Sequence, residues 1–110
     1  MQRFGRVLRL KDGAAEEYER QHQAVQPGVL KACAKAGIRN YSIFRYKQWL
    51  FSYFELPDGL TLDDVGKITG ASPDCQQWET IMHRLQEPLP ESDSEDWWVP
   101  MREVFHFQGK

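Results

Sequence analysis

The order in which two hydrophobic patterns follow one another along the chain limits the possible folds more than any other feature. Segments in which apolar and polar residues alternate predict strands, because successive side chains of a strand point to opposite faces. Segments with apolar residues three or four positions apart predict helices. Strands are predicted at 2–10, 39–46, 49–55 and 102–107, and helices at 14–36, 61–69 and 73–86. This βαββαβ order predicts an α+β protein of ferredoxin-like type, with a four-stranded antiparallel sheet and helices on one face.

Local signals mark where these elements begin and end. Pro27-Gly28 predicts a kink or a short break in the first helix, and Gly37 suits the left-handed position that follows a helix. Thr61 and Ser72 are predicted N-caps. Only Lys47-Gln48 separates the two central strands, which predicts an antiparallel hairpin. The turn type stays open because neither residue is Gly or Asn.

Length and charge exclude several classes of protein. A chain of 110 residues fits one domain, so we expect residues 1–110 to form a single unit. With 14 basic and 16 acidic residues the net charge is −2. The chain therefore lacks the excess of basic residues that is typical of a nucleic-acid-binding protein. No apolar run is long enough to span a membrane, and the N-terminal residues do not read as an export signal. We therefore expect a cytoplasmic protein without nucleic-acid or membrane partners.

The cysteine pattern argues against a metal centre. Cys33 and Cys75 do not form a Cys-x-x-Cys pair, and no histidine stands at zinc-finger spacing from either. A disulfide framework is not expected in a chain with this much core and no export signal. We expect both residues to act as small apolar side chains and the protein to hold no metal.

The predicted sheet leaves one face without a covering layer. Helices cover only one face of a ferredoxin-like sheet, and the other face must be covered in some way. A second copy of the chain, packed sheet against sheet, is the simplest cover. We therefore expect a homodimer.

Tyr18 and His22 are the first candidates for chemistry. They lie four residues apart on a predicted helix and therefore share one helix face. Imidazole titrates near neutrality and a phenol can donate a hydrogen bond, so the pair could transfer a proton. The spacing alone also fits a core tyrosine beside a surface histidine. Polar residues of the same helix are expected on its outer face: Glu16, Glu17, Glu19 and Arg20.

Tyr41 and Trp78 extend this candidate site towards a carbohydrate. A sugar stacks its apolar ring face on an indole, while its hydroxyls seek phenol and imidazole partners. The two other histidines have simpler interpretations. His83 is expected on a solvated helix face, and His106 is expected inside the last strand.

Six segments of the chain resemble the L-rhamnose mutarotase family. The resemblance follows the family's order over nearly the whole chain. Its motifs are EEYERQH at 16–22, Pro27, NYSIF at 40–44, LFSYFE at 50–55, CQQW at 75–78 and EVFHF at 103–107. It implies a dimeric ferredoxin-like α/β barrel that interconverts the anomers of a monosaccharide, a 6-deoxyhexose such as L-rhamnose. It also implies that His22 is the proton donor and that Tyr18, Tyr41 and Trp78 line the sugar pocket. The reaction needs no redox change, so no cofactor is expected.

Two positions depart from the family pattern. The family often has tryptophan where this chain has Gln26 and Glu79, and both changes remove apolar surface. They leave the identity of the sugar open, with L-fucose as the alternative 6-deoxyhexose. Glu79 is either a surface carboxylate or a second acid–base group. Trp97-Trp98, at the end of the acidic, proline-rich segment 87–98, could supply the missing aromatic surface.

Two other functional classes remain open at this level. A non-catalytic dimeric module would bind a sugar without exchanging its anomers. The ferredoxin-like barrel also carries oxygenases, since a fold does not fix a function. In that case His22 or His83 would bind iron.

Overall fold

The computed structural model describes residues 1–92 and 97–109. Strand β1 (Gln2–Leu10) leads to helices α1 (Ala15–His22) and α2 (Pro27–Lys35), and then to strands β2 (Arg39–Tyr46) and β3 (Trp49–Leu56). Helices α3 (Leu62–Gly70) and α4 (Pro73–Leu85) follow, and after them the short strands β4 (Gln86–Glu87) and β5 (Val99–Met101). The predicted α+β order is confirmed. None of the helices in the described part of the chain is long and apolar enough to cross a membrane.

The sheet is antiparallel, with β1 in a central position. Strand β3 lies between β2 and β1, and both β4 and β5 pair with the other edge of β1. Strand β4 pairs with Arg9 and Leu10, whereas β5 pairs with Gly5, Arg6 and Val7. The sheet therefore has the four strand positions that were predicted. Its fourth position is filled by two short segments from either side of the 88–98 connection, of which residues 93–96 lie outside the described part of the chain.

The prediction of a last strand at 102–107 is wrong. Strand β5 ends at Met101, which pairs with Gly5. The same register sets Glu103 opposite Arg3, and the two side chains form an ion pair with a distance of 2.9 Å between Arg3 Nε and Glu103 Oε2. In this register residues 105–109 run past the start of β1, and no strand among the described residues lies beside them. His106 is therefore an exposed residue outside the sheet.

The predicted helix boundaries are confirmed with small shifts. Of the two alternatives at Pro27-Gly28, the short break is confirmed: α1 ends at His22, and Pro27 starts a separate helix α2. Gly37 has a φ of 86°, as expected after a helix end. Thr61 and Asp64 form a reciprocal capping box, and the Ser72 side chain accepts a hydrogen bond from Cys75 N. Gln86, predicted as the last helical residue, belongs to β4 instead.

The core lies between the helices and one face of the sheet. Its buried cluster comprises Leu8, Leu10, Tyr18, Leu50, Met82 and Trp98. The opposite face of the sheet, called the outer face below, carries an apolar row. Cross-strand pairing sets Phe44 beside Phe51, Phe51 beside Val7 and Val7 beside Val99. Phe44 remains 64% exposed, so this row is open to solvent in the single chain.

Candidate functional site

A cavity of about 830 Å³ lies between α1, α2 and the edge strand β2. Helix α1 supplies Tyr18 and His22, β2 supplies Tyr41, and α4 contributes Trp78. The structure therefore brings together all four residues that the sequence analysis selected. Its α2 wall is mainly apolar and includes Val29 and Cys33.

Helix α1 presents Tyr18 and His22 on its inner face. Acidic residues in its first turn and basic residues in its last turn complement the helix dipole. Tyr18 is only 4% exposed and belongs to the core, which anchors the helix. One turn later, the His22 ring lies 4.2 Å from the Tyr18 ring between centroids. The core thus fixes the position of an imidazole at the cavity surface.

The hydrogen bond of His22 determines which of its two ring nitrogens can accept a proton. His22 Nδ1 lies 2.8 Å from the backbone carbonyl oxygen of Tyr18 and donates to it in the neutral imidazole. Nε2 then carries the lone pair and can accept a proton. Burial lowers the pKa of His22, opposed by the hydrogen bond to the Tyr18 carbonyl, which raises it. The imidazole is therefore mainly neutral at pH 7, with a basic nitrogen available.

The Tyr18 phenol keeps its proton, whereas one nitrogen of His22 is left without one. Burial raises the pKa of its phenol, and the nearby Tyr41 and Glu79 raise it further. The side chain of Gln86 hydrogen-bonds to the phenol and partly offsets this shift. An amide N–H that donates to the phenol oxygen leaves the phenol's own O–H free to donate elsewhere. Tyr18 therefore stays protonated and can act as a hydrogen-bond donor.

Trp78 and Tyr41 complete the aromatic part of the cavity. The indole of Trp78 meets the His22 ring edge-on, with centroids 5.0 Å apart. Trp78 also packs against the core cluster, so its position is fixed. Tyr41 follows Asn40, which has a φ of 51° at a register shift in β2. An irregularity of this kind redirects side chains beside a site.

Trp97 and Trp98, predicted as a possible second aromatic surface, lie outside the cavity lining together with His83. His83 is half-buried and stacks on Trp97, with 3.9 Å between ring centroids, so the expected solvated face is wrong. Its Nε2 lies 3.1 Å from Glu79 Oε1. Trp98 is a core residue, and neither Trp97 nor Trp98 belongs to the cavity lining. Across residues 1–92 and 97–109, no group of three His, Cys, Asp or Glu side chains is placed to bind a metal ion.

Glu19 and Arg45 line the cavity, although the sequence analysis did not select them. Glu19 is exposed, as expected for the outer face of its helix, and its side chain also borders the cavity. Glu19 precedes His22 by three positions, a spacing that shares a helix face. Arg45 alternates with Tyr41 and Ile43 along β2, which placed it on the same face as Tyr41. Both spacings can be read from the sequence, but the many charged residues of α1 favour a solvated position for Glu19 and draw attention away from its pairing with Arg45.

Residues 3–107 match the family model described as L-rhamnose mutarotase. The L-rhamnose mutarotase of Lactiplantibacillus plantarum is 32% identical over 108 residues, which cover 96% of this chain and 98% of that protein. The L-rhamnose mutarotase of Sinorhizobium fredii is 31% identical over 108 residues with the same coverage.

Two solved structures share the fold. An L-rhamnose mutarotase from Formosa agariphila matches with a TM-score of 0.75 at 18% identity, covering 98% of this chain and 100% of that one. Tetracenomycin F2 cyclase from Streptomyces glaucescens, a type-II polyketide cyclase, matches with a TM-score of 0.65 at 17% identity, covering 100% and 99%. Two different chemistries thus occur on one fold, and the site residues must distinguish them.

Proposed function

The chain belongs to the L-rhamnose mutarotase family, and we propose that it interconverts the α and β anomers of L-rhamnose in the cavity that holds His22. One hydrogen bond is the main support for His22 as the proton-transfer group. The Nδ1 hydrogen bond of His22 to the Tyr18 carbonyl directs a basic Nε2 away from the helix backbone, at the surface of a sugar-sized cavity.

Mutarotation requires one proton to move between two oxygens bonded to the same carbon. His22 Nε2 accepts the proton of the anomeric hydroxyl and delivers it to the ring oxygen while the bond between that oxygen and C1 breaks. The open-chain aldehyde then rotates about its C1–C2 bond and closes on its other face, with the proton returned by the same nitrogen. A positioned acid–base group of this kind contributes about 10²–10⁴-fold. The Tyr18 phenol orients the sugar by donating a hydrogen bond to one of these oxygens.

The walls of the cavity support a 6-deoxyhexose as the substrate. A 6-deoxy sugar carries a methyl group at C6, which fits an apolar wall better than a hydroxymethyl group does. Val29, Cys33 and Ile38 form such a wall. Trp78 offers an indole for the ring face, and Tyr41 offers a phenol for a hydroxyl. L-Fucose shares the C6 methyl group, and it is the alternative substrate.

We also propose that residues 1–110 act as one domain and assemble as a homodimer through the outer face. The row from Phe44 to Val99 is an apolar surface that one chain leaves open. Beyond β5, residues 102–109 form a tail of irregular backbone outside the sheet. Its large apolar side chains are 70–85% exposed: Val104, Phe105 and Phe107. A second copy provides the apolar surface on which both the row and the tail can pack. A cytoplasmic location stays a prediction.

Saturation-transfer NMR on equilibrated sugar tests the function directly. One anomeric proton of L-rhamnose is saturated, and loss of intensity is followed at the other anomeric proton with catalytic amounts of protein. We expect transfer that increases with protein concentration and falls by about 10²–10⁴-fold in His22→Ala. His83→Ala is the matched control, since this second helix histidine lies outside the cavity lining.

The other outcomes separate the alternatives. Faster exchange of L-fucose than of L-rhamnose would identify L-fucose as the substrate. Binding of either sugar without exchange would indicate a non-catalytic module. Equal rates in His22→Ala and His83→Ala, in folded proteins, would remove His22 from the mechanism.

A further inference from the structure

A charged pair forms part of the wall of the mainly aromatic and apolar cavity. Arg45 Nε donates to Glu19 Oε2, which joins strand β2 to helix α1. Arg45 Nη1 also donates to the backbone carbonyl of Lys47, with a distance of 2.6 Å. Both Glu19 and Arg45 belong to the cavity lining. Arg45 is thus oriented from two sides before any ligand enters.

The position of the pair relative to the proposed proton-transfer group is fixed by helix and strand geometry. Glu19 lies one turn before His22 on the same helix face. Arg45 lies on the same side of β2 as Tyr41, because alternate strand residues share a face. The charges therefore lie beside the aromatic end of the cavity, and Val29 and Cys33 lie on the α2 wall.

We propose that Glu19 and Arg45 bind two neighbouring hydroxyls of the sugar and determine which 6-deoxyhexose is accepted. The inference rests on the proposed function, in which the anomeric carbon faces His22 and the methyl group faces α2. A sugar held at these two points presents its remaining ring hydroxyls to the rest of the wall. A carboxylate accepts hydrogen bonds from hydroxyls and a guanidinium donates them, so the pair can read a vicinal diol.

The donor inventory allows the ion pair and the sugar contacts to coexist. A guanidinium has five N–H donors, and the contacts to Glu19 and Lys47 use one from Nε and one from Nη1. The Glu19 carboxylate has a second oxygen, and each oxygen accepts more than one hydrogen bond. A ligand therefore does not need to break the pair in order to bind.

A purely structural role makes a different prediction. The Glu19 and Arg45 side chains are 53% and 35% exposed, and surface ion pairs of this kind contribute little to stability. If the pair only joins α1 to β2, exchanging its two charges should preserve its effect. If the pair reads a diol, the exchange places acceptor and donor on the wrong sides, and sugar binding should not recover.

The test compares Glu19→Gln, Arg45→Gln and the exchanged pair Glu19→Arg with Arg45→Glu. We measure the half-saturating concentration and the maximal exchange rate for L-rhamnose and for its 2-deoxy and 3-deoxy analogues. Each single variant should raise KM for L-rhamnose by about tenfold, the size of one lost charge-assisted hydrogen bond, with little change in kcat. The preference of the wild type for L-rhamnose over at least one deoxy analogue should fall by the same factor.

Glu17→Gln is the matched control. Glu17 lies on the same helix and pairs with Arg20, but it is not part of the cavity lining. Its KM and its discrimination between analogues should equal those of the wild type. Circular dichroism of every variant verifies that the fold is retained.

The outcomes separate this inference from the proposed function. If the wild type shows no His22-dependent exchange, the proposed function fails. If exchange is intact and the Glu19 and Arg45 variants keep the wild-type KM and discrimination, only the diol site is refuted. Recovery of KM in the exchanged pair would likewise refute it, because only a structural link tolerates reversal.

Discussion

Replacing Tyr18 by Phe separates the contributions of its three parts to the site. The backbone carbonyl of Tyr18 accepts the His22 Nδ1 hydrogen bond, and the aromatic ring packs 4.2 Å from the imidazole. Tyr18→Phe leaves both in place and removes only the hydroxyl. We therefore expect His22 to keep its orientation and its proton-transfer function. The maximal exchange rate should fall about tenfold, the value of one hydrogen bond of slightly above 1 kcal/mol, which is less than the loss in His22→Ala.

The same substitution has a separate effect on stability. Gln86 is only 2% exposed and hydrogen-bonds to the phenol. Loss of the hydroxyl leaves its buried amide donor unpaired, which costs about 1–3 kcal/mol. For a domain of this size each kcal/mol lowers Tm by roughly 4–8 °C. The Oε1 atom of Gln86 is already without a hydrogen-bond partner among the described residues. Gln86→Leu added to Tyr18→Phe removes both unpaired groups and should recover most of the lost stability.

Thermal unfolding and saturation-transfer NMR on the single and double variants distinguish the two effects. The double variant should regain Tm without regaining exchange rate. A rate loss in Tyr18→Phe as large as that in His22→Ala would refute the reasoning, because the phenol would then transfer the proton itself. An unchanged rate would also refute it, since the phenol would not contact the sugar.

Three further predictions test other parts of the site and the assembly. Because burial lowers the pKa of His22 and the neutral imidazole starts the reaction, the exchange rate should be level from pH 7 to 8 and fall as pH drops through a midpoint below about 6.5; a midpoint above that value would contradict the assignment. Trp78→Ala should raise KM for L-rhamnose by about tenfold, equivalent to roughly 1.4 kcal/mol, through loss of the apolar surface on which the sugar ring packs, and an unchanged KM in titrations would exclude a sugar contact. Phe105→Ser with Phe107→Ser should shift the protein from dimer to monomer in analytical ultracentrifugation at micromolar concentration, whereas a wild-type protein that is already monomeric would refute the dimer.

The sequence predicted the parts of the fold that depend on local signals. The alternation of apolar and polar residues in 39–46 and in 49–55 predicts the hairpin. In the structure its two-residue turn forms with Lys47 at a φ of 54°. Thr61 and Ser72 cap their helices as expected, because a cap is satisfied within three residues of its own position. The i, i+4 spacing of Tyr18 and His22 places them on one face for the same reason.

The errors arise where one segment depends on the position of another. The tail at 102–107 alternates like a strand, but in the register of β5 the first residue of β1, Gln2, lies opposite residue 104, so no part of β1 lies beside residues 105–107. Pairing of this kind depends on the partner's end and not on the segment itself. The polarity of the helices predicts solvated positions for Glu19 and His83 but not the residues that they contact. Glu19 is exposed but pairs with Arg45, whereas His83 is half-buried and stacks on Trp97. Neither partner is near its residue in sequence.

The central place of β1 has a consequence for synthesis of the protein. Strand β1 is synthesised before each of its partners, and β3 is the first of them to follow. The residues that pair with its other edge, Gln86–Glu87 and Val99–Met101, are synthesised after β3. Until those residues are synthesised, β1 therefore has one edge of backbone donors and acceptors unpaired, and such an edge can pair with other chains. Premature termination before residue 99 would leave this edge permanently exposed along Gly5–Val7, so truncated products should aggregate and not accumulate as folded fragments.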